Sequence, residues 1–548
     1  MENKFSMVAK TFQGLEDVLR DELISLGAEN VEMGRRMVSF EGDLAIMYKA
    51  NLCCRTALRI LKPIEKFTAH DPDELYDIVR DIEWEKYMSP STTFSIDSTV
   101  NSEEFTHSKF VTYRVKDGIV DHFRDLTGER PSIRVTGADV MLNVHIMDDR
   151  VTISLDSSGE PLSKRGYRVE QTEAPINEVL AAGIIMKTGW RGDCNFVDPM
   201  CGSGTFLIEA ALIATNTNPG IYREHFAFEK WADFDKELFE DIYNDDSAER
   251  DFDFKIYGGD IDPEAVAISR KNIKNAKLDD IIELSCRPFS DWTDNPEAGI
   301  LVTNPPYGAR LKPENMTELY RGIGSTLKKY FPGYHAWIIG MSDDDFANIG
   351  LKPSLKIPLL NGSIECSLRE YVLFDGSYSD FRAEGGKVSH YDDDEEDRRP
   401  RKMRRLSDDE WKAETKKFGG HKERSSKGQK GKGGFNSERR YDKKNKPARS
   451  DKKNFNDVDF EDRGFERRDR KSGGDRKFND RKPGGDRKFS DRKPGGDRKF
   501  SDRKPDRRHE AKTVKPQGPR ISADNAHVFS EVPMRSRKKR YNSAEEED

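Results

Sequence analysis

The chain has 548 residues, and its formal net charge of −7 conceals two regions of opposite sign. Residues 1–380 contain 42 Lys and Arg against 65 Asp and Glu, whereas residues 381–548 contain 51 against 35. No apolar run approaches the roughly 18 residues of a membrane span and no secretory signal opens the chain, so a membrane or exported protein is not expected. The six cysteines form no C-x-x-C pair, which predicts a reduced, cytoplasmic protein without structural zinc.

The first third predicts two small α+β units in which no set of residues suggests chemistry. Apolar spacing indicates strands at residues 5–9, 36–40, 58–61, 93–97, 132–135, 140–146 and 150–155, and helices at 15–23, 43–51, 73–79 and 109–127. Three residues between the last two strands predict a hairpin. This part of the chain is therefore expected to bind a partner rather than to catalyse.

A short basic segment at residues 163–168 joins the two halves of the acidic region. Lys164, Arg165 and Arg168 could meet phosphates, and Tyr167 could stack on a base. A solvated linker is the alternative interpretation of the same residues.

A glycine-bearing turn follows the next predicted strand. Asp198 and Pro199 end that strand, Gly202 and Gly204 form the turn, and Thr205 begins an apolar helix. Glycines let the backbone approach a ligand closely. The P-loop lysine is missing, and a carboxylate at this position would repel pyrophosphate but suit a cation. The sulfonium and ammonium of S-adenosylmethionine fit that requirement.

The pattern of a strand followed by a carboxylate recurs further along the chain. Asp260 and Asp262 end a second strand, where a carboxylate can bind ribose hydroxyls, and Asp291 follows a third strand near the expected adenine amino group. Apolar runs around residues 196, 256, 282, 300 and 336 alternate with helices, which predicts a doubly wound parallel α/β sheet. Residues 356–373 could add a closing antiparallel pair.

Asn304, Pro305, Pro306 and Tyr307 directly follow the fourth of these strands. The amide oxygen of Asn304 and the carbonyl between the prolines can accept hydrogen bonds from an exocyclic amine. The prolines stiffen the loop, and the tyrosine offers a stacking face worth about 1–3 kcal/mol per base. Arg310, just beyond, is a candidate RNA contact. A proline turn after a core strand is the alternative.

Taken together, the motifs at residues 198–204, 259–262 and 304–308 closely resemble those of bacterial large-subunit (23S) rRNA guanine-N2 methyltransferases. The resemblance covers about residues 1–376, and it implies a Rossmann-like class I methyltransferase domain that binds S-adenosylmethionine and a flipped guanine. The implied organisation is a ferredoxin-like unit at 1–62, a THUMP RNA-binding domain at 63–160, the methyltransferase domain at 161–378 and a disordered charged tail at 379–548. By the same resemblance the cofactor is held by Asp198, Pro199, Gly202, Gly204, Thr205, Asp260, Asp262, Asp291 and Asn304.

The chain departs from this family where some relatives carry a second methyltransferase domain, so a single activity is expected. A monomer that binds 23S rRNA or an assembly intermediate, with no metal and no membrane partner, is the predicted state. The closest alternative among enzymes is a tRNA guanine-N2 methyltransferase, which has the same architecture. Adenine-N6, cytosine-N4 and glutamine-N5 methyltransferases use similar loops, although the THUMP-like module and the basic tail together disfavour DNA and protein substrates. A catalytically silent rRNA-binding assembly factor is the alternative from another class.

The tail contains the repeat Gly-Gly-Asp-Arg-Lys-Phe, which starts at residues 473, 484 and 495. Aromatic rings between cations are typical of disordered RNA-binding segments. Deleting residues 381–548 should therefore weaken RNA binding mainly at low salt, because the interactions of a basic tail with RNA are electrostatic. Turnover on saturating RNA should be unchanged, and a filter-binding titration at several salt concentrations beside a steady-state assay measures both. A decrease in affinity that is independent of salt would contradict this role.

Overall fold

The protein is described here from a computed structural model, which describes residues 4–294, 299–306, 313–362, 364–374 and 376. The predicted disordered tail lies outside these residues. The strands are β1 (Phe5–Lys10), β2 (Glu29–Gly34), β3 (Met37–Gly42), β4 (Arg59–Thr68), β5 (Thr93–Asn101), β6 (Ser132–Ile133), β7 (Val140–Met147), β8 (Arg150–Asp156), β9 (Asn195–Asp198), β10 (Ile256–Asp260), β11 (Ile282–Cys286), β12 (Gly299–Thr303), β13 (His335–Gly340), β14 (Leu355–Asn361) and β15 (Ile364–Val372). The helices are α1 (Glu16–Ser25), α2 (Leu44–Cys53), α3 (Pro72–Asp81), α4 (Ser108–Thr127), α5 (Glu178–Lys187), α6 (Thr205–Ala214), α7 (Lys236–Asn244), α8 (Pro263–Asn275), α9 (Pro313–Tyr330) and α10 (Asp343–Ala347). None of these helices is long and apolar enough to cross a membrane.

The two predicted N-terminal units share one sheet of eight strands, in the order β2-β3-β1-β4-β8-β7-β5-β6. The long strand β4 belongs to both units, since its Leu61 pairs with Val8 of β1 on one side and with Asp156 of β8 on the other. The predicted boundary between residues 62 and 63 therefore falls inside a strand. Strand β2 is an addition to the predicted elements, and none of its residues is buried.

The second sheet has seven strands in the order β11-β10-β9-β12-β13-β15-β14, and its first five strands are parallel. Strand β15 pairs antiparallel with β13, and β14 pairs antiparallel with β15. This confirms the predicted doubly wound sheet with a closing antiparallel pair. The chain builds outward from β9 to β11 on one side and from β12 to β13 on the other. Strands β9 and β12 therefore flank the topological switch point, where open α/β sheets bind their ligands.

A segment after α6 ties the two halves together through aromatic packing. The ring of Phe228 stacks on that of Tyr48 in α2, with centroids 4.5 Å apart, and Phe239 of α7 meets the same tyrosine edge-on at 5.5 Å. Phe228 and Phe239 are fully buried in the core of the N-terminal sheet. The N-terminal half thus has a fixed position relative to the second sheet.

Two glycines of α9 provide a matched test of how this helix packs. A Cβ on Gly324 would overlap the carbonyl oxygen of Ile349, whereas one on Gly322 would meet nothing within 4 Å. Gly324→Ala should lower the free energy of unfolding by about 1–3 kcal/mol through overpacking. Gly322→Ala should raise it by about 0.5–1 kcal/mol, because alanine favours helix. Urea unfolding of the two variants measures both, and equal effects of the same sign would contradict this packing.

Candidate active site

Four loops meet at the carboxyl edge of the second sheet. The parallel register places Val197 of β9 opposite Leu301 of β12, and the next residue, Asp198, opposite Gly258 of β10. The loops that follow β9, β10, β11 and β12 therefore lie side by side. The glycine turn after β9 is therefore next to the Asn-Pro-Pro loop after β12.

The turn after β9 has the backbone conformation that its glycines permit. Gly202 has φ +54° and Gly204 has φ +81°, and a Cβ on Gly204 would lie 3.1 Å from the hydroxyl oxygen of Ser269 in α8. Among the described residues, a Cβ on Gly202 would meet only Thr172 Oγ1, at 3.8 Å. The Ser269 hydroxyl donates to the Gly202 carbonyl at 2.7 Å. Helix α8 therefore supports the turn through Ser269, and the described residues leave space for a ligand at Gly202.

Asp260 links this turn to the end of β10. Its carboxylate accepts the backbone N–H of Gly202 at 2.9 Å and that of Asp262 at 3.0 Å. The backbone N–H of Arg287, after β11, donates to the Asp260 carbonyl at 3.0 Å. A carboxylate has about four acceptor positions, so Asp260 can still accept from a ligand. Asp262 caps α8 by accepting from Glu264 N at 2.9 Å and remains exposed.

Asp198 is buried, with 1% of its surface exposed. One of its carboxylate oxygens accepts the Thr303 hydroxyl at 2.8 Å and the backbone N–H of Met200 at 3.3 Å. Burial raises the pKa of Asp198 to about 7, and the charge of Asp260 adds to the shift, whereas the two hydrogen bonds oppose it. Asp198 therefore joins the glycine turn to β12 from beneath instead of presenting its carboxylate on the loop surface.

Asn304 follows Thr303 directly. Its side-chain oxygen is buried and accepts no hydrogen bond from any of the described residues. Burying an amide oxygen without a partner costs about 1–3 kcal/mol, so a donor from a ligand would offset a real penalty. Pro305 is buried and Pro306 half-buried. Tyr307 and Arg310 lie outside the described residues.

The remaining predicted ligand residues surround the turn. Pro199 and Thr205 are buried, and the Thr205 hydroxyl already accepts from Arg168 at 2.9 Å. Their side chains consequently support the turn from inside. Asp291 is exposed at the end of a 3₁₀ turn after β11, with its carboxylate accepting from Ser290 at 3.0 Å.

Comparison with known proteins agrees with the fold. Residues 165–370 match the RMKL-like methyltransferase domain, residues 69–156 the THUMP domain and residues 6–61 the RlmL ferredoxin-like domain. A protein of Synechocystis sp., provisionally named an RNA methyltransferase, is 35% identical over 373 residues, which cover 68% of this chain and 96% of that protein. The chain belongs to the family of RMKL-like methyltransferases that carry a THUMP domain.

Other members of the family extend the comparison. The ribosomal RNA large subunit methyltransferase K/L of Syntrophotalea carbinolica is 37% identical and covers 68% of this chain but 54% of its own length. The chain spans about half the length of the curated K/L relatives it matches. A crystal structure of a protein provisionally named a methyltransferase, complexed with S-adenosylhomocysteine, is 31% identical with a TM-score of 0.61 and covers 69% of this chain and 100% of that one.

The junction that precedes the methyltransferase domain requires a correction. Arg165 and Tyr167 were predicted to bind RNA, but they are 2% and 1% exposed. The Arg165 guanidinium faces the carboxylate of Glu209 in α6 at 3.4 Å, and the Tyr167 hydroxyl donates to that carboxylate at 2.9 Å. Burial raises the pKa of Glu209, while the charge of Arg165 opposes the shift. The prediction for these two residues is wrong, because a buried carboxylate requires them as partners.

Arg168 also acts within the methyltransferase domain. Its guanidinium donates to Glu178 at 2.7 Å, to the Ser203 hydroxyl at 2.8 Å and to Thr205. Arg168 thus holds the glycine turn against α5, and its predicted RNA contact is replaced by this role. Lys164 alone of the junction cations is exposed, paired with Glu160 at 2.7 Å. Glu178 and Glu209, which lie in the apolar helices α5 and α6, were the sequence signal for these internal contacts. A buried acid needs a partner, so nearby cations could have been expected to pair with them.

The buried carboxyl group of Asp198 makes stability depend on pH. Its folded pKa of about 7 lies above the ordinary value of 3.8, so the folded state binds more protons and wild-type stability should fall as pH rises from about 4 to 7. Asp198→Asn keeps an acceptor for Thr303 and removes the ionisation. The free energy of unfolding of the variant, relative to wild type, should therefore increase across this window. A difference that stays constant from pH 4 to 8 would contradict the raised pKa.

Proposed function

We propose that this THUMP-containing methyltransferase uses S-adenosylmethionine to methylate the exocyclic N2 amine of a guanosine in 23S rRNA. One observation carries the proposal. The side-chain oxygen of Asn304, in the loop after β12, is buried and has no hydrogen-bond donor among the described residues. The preceding residue, Thr303, donates a hydrogen bond to Asp198 under the glycine turn. An unpaired acceptor next to the expected cofactor turn is what an amine substrate needs.

The carboxyl edge of the sheet fits the cofactor in charge and in shape. The backbone at Gly202 is open to a ligand, and Asp260 and Asp262 stand at the end of β10 to accept from ribose hydroxyls. Asp291, exposed after β11, is the proposed partner of the adenine amino group. Asp198 sets the turn in place from beneath, with no cation among the described residues within ion-pair distance of it. When bound, S-adenosylmethionine supplies an activated methyl group.

The residues after β12 position the acceptor amine. The lone pair of a guanine amino group is delocalised into the ring, so its direction must be controlled. Hydrogen bonds from the amine to Asn304 Oδ1 and to the Pro305 carbonyl would aim that lone pair at the methyl group. Orientation of this kind can supply several kcal/mol, on the order of 7–11 in the most favourable cases. Tyr307 is the proposed stacking face, and the base must leave its own stack to reach the loop.

The N-terminal half supports RNA as the substrate. Its THUMP and ferredoxin-like domains are fixed against the methyltransferase domain through the aromatic packing around Tyr48, and Lys164 is exposed at the junction. The K/L relatives are named for large-subunit rRNA, which favours 23S rRNA over tRNA. We infer a monomer that acts in the cytoplasm.

Substitution of Asn304 tests the proposal. Asn304→Ala should reduce methyl transfer by at least a hundredfold, because it removes both the acceptor and the orientation that the acceptor imposes, and it should leave the affinity for S-adenosylmethionine within about twofold. Asn304→Asp retains an oxygen acceptor and should keep part of the activity. Asn315→Ala, an exposed asparagine of α9, is the matched control and should behave as wild type.

The measurement uses full-length protein with unmodified 23S rRNA and with unmodified bulk tRNA. Transfer of a labelled methyl group gives the rate, calorimetry gives cofactor affinity, and mass spectrometry of the digested RNA identifies the modified base. A normal rate for Asn304→Ala would refute the role of Asn304. Methylated guanine in tRNA alone would favour the tRNA enzyme, and binding of rRNA with no methyl transfer would favour the assembly factor.

A further inference from the structure

A cavity with a volume of about 490 Å³ lies between the ferredoxin-like domain and the methyltransferase domain. It is separate from the four loops of the candidate active site. It is formed by residues at or beyond the C-terminal ends of α1, α2, α5 and α6. Helix α6 begins at the candidate active site with Thr205 and ends at this cavity, and its 10 residues span about 15 Å. The cavity therefore belongs to the opposite edge of the sheet.

Four cationic side chains line this cavity, namely Lys49, Arg55, Arg191 and Arg250, against two carboxylates, Glu22 and Asp245. This excess of positive charge stands out because residues 1–380 are strongly acidic as a whole. We call the cavity that these four side chains line the cationic cavity.

None of the three arginines forms an ion pair with a carboxylate in the part of the chain that the structure describes. Arg191 donates to the Met186 carbonyl at 3.1 Å and to the Trp190 carbonyl at 2.7 Å. Arg250 donates to the Ala214 carbonyl at 2.7 Å and to the Ile213 carbonyl at 3.0 Å. These neutral carbonyls position the guanidinium groups without neutralising them.

Arg55 is the buried member of the group, with 7% of its surface exposed. Its Nη2 donates to the amide oxygen of Asn216 at 3.3 Å, and its Nη1 has no hydrogen-bond partner among the described residues. Burying a guanidinium with an unused donor is costly unless an anion accompanies it. This unpaired donor is evidence for a ligand that is independent of the charge count.

The two carboxylates of the cavity are already occupied. Glu22 accepts the backbone N–H groups of Arg55 at 2.7 Å and Thr56 at 3.0 Å, as well as the Thr56 hydroxyl. Asp245 accepts the N–H of Ser247 at 3.0 Å and its hydroxyl at 2.6 Å. Both acids thus hold local backbone turns, and the charge of Glu22 also acts on Arg55 and Arg191. Four cations against two carboxylates still leave an excess of positive charge for an external anion.

We propose that the cationic cavity binds a backbone phosphate of the RNA substrate, an inference that rests on the proposed function. Guanidinium groups match phosphate oxygens in pairs of parallel hydrogen bonds. None of the described residues that line the cavity is aromatic, so they offer no stacking surface for a base or a nucleotide. A contact at this edge would hold RNA at a second place, about one helix length from the methyl-transfer loops, and would set the orientation of the substrate without reading its sequence.

Charge-removing variants of the full chain test this inference. The double variant Arg191→Gln and Arg250→Gln removes the two exposed guanidinium groups, and Lys49→Gln removes a cation that makes no hydrogen bond or ion pair within the described ranges. The control is Lys4→Gln with Arg20→Gln, two exposed cations of the ferredoxin-like domain that are paired with Glu29 and Asp21. Affinity for unmodified 23S rRNA is measured at several salt concentrations, and affinity for inorganic pyrophosphate and for S-adenosylmethionine by calorimetry.

We expect the cavity variants to bind rRNA about tenfold more weakly, with the slope of log K against log salt reduced by about 0.7–0.9 for each phosphate that is no longer neutralised. Cofactor affinity should match the control in all cavity variants, and the thermal midpoint should match it in Lys49→Gln, which breaks no hydrogen bond among the described residues. Unchanged rRNA affinity in both Lys49→Gln and the double variant would overturn the inference, and so would weaker pyrophosphate binding with unchanged rRNA binding, which would indicate a free phosphate ligand. If wild type binds rRNA through the cavity but transfers no methyl group, the proposed function fails and the phosphate site stands.

Discussion

A single buried hydrogen bond, from the Thr303 hydroxyl to the Asp198 carboxylate, connects the two loops on which the active site depends. The residues are 105 positions apart in the chain, and they meet because β9 and β12 are neighbours at the switch point of the sheet. In an interior of low dielectric such a bond is strong, and an unpaired acid there is costly. The fold accordingly holds a carboxyl group whose pKa is raised to about 7 beneath a turn that is open to a ligand. This local cost is typical of a functional site.

The second constraint is the contact between the RNA-binding and catalytic halves. Glu209 of α6 is fully buried, and its Oε1 accepts hydrogen bonds from Arg165 and Tyr167 of the junction. Arg168 then continues from the same junction to the glycine turn. The segment that connects the two halves is thus also the support of the cofactor edge. The junction therefore fixes the position of the N-terminal domains relative to the glycine turn.

Most of the fold follows from local patterns in the sequence. Strands β9, β10 and β12 are short apolar runs that end in a carboxylate or in Asn-Pro-Pro, and a helix follows each of them. These signals are local, so they predict the five parallel strands and the closing pair. Strand β2 escaped prediction because its residues, Glu29–Gly34, lie on the sheet edge with no buried face to impose an alternation. The predicted boundary at residue 62 falls inside β4, a strand whose pairing on both sides is a property of the sheet and not of the local sequence.

The sequence by itself determined which residue types stand at the ends of the strands, and therefore the family and the candidate chemistry of Asp198, Asp260 and Asn304. Only the tertiary structure decided which charged residues are inside. In the local sequence, Arg165 cannot be distinguished from an exposed cation that contacts RNA. It is buried because it faces Glu209, which lies 44 residues further along the chain. The cations of the second cavity likewise come from segments that only the packing of two domains brings together. Side-chain periodicity reports which face of an element is buried, but the partner of a buried charge is chosen by contacts between distant segments.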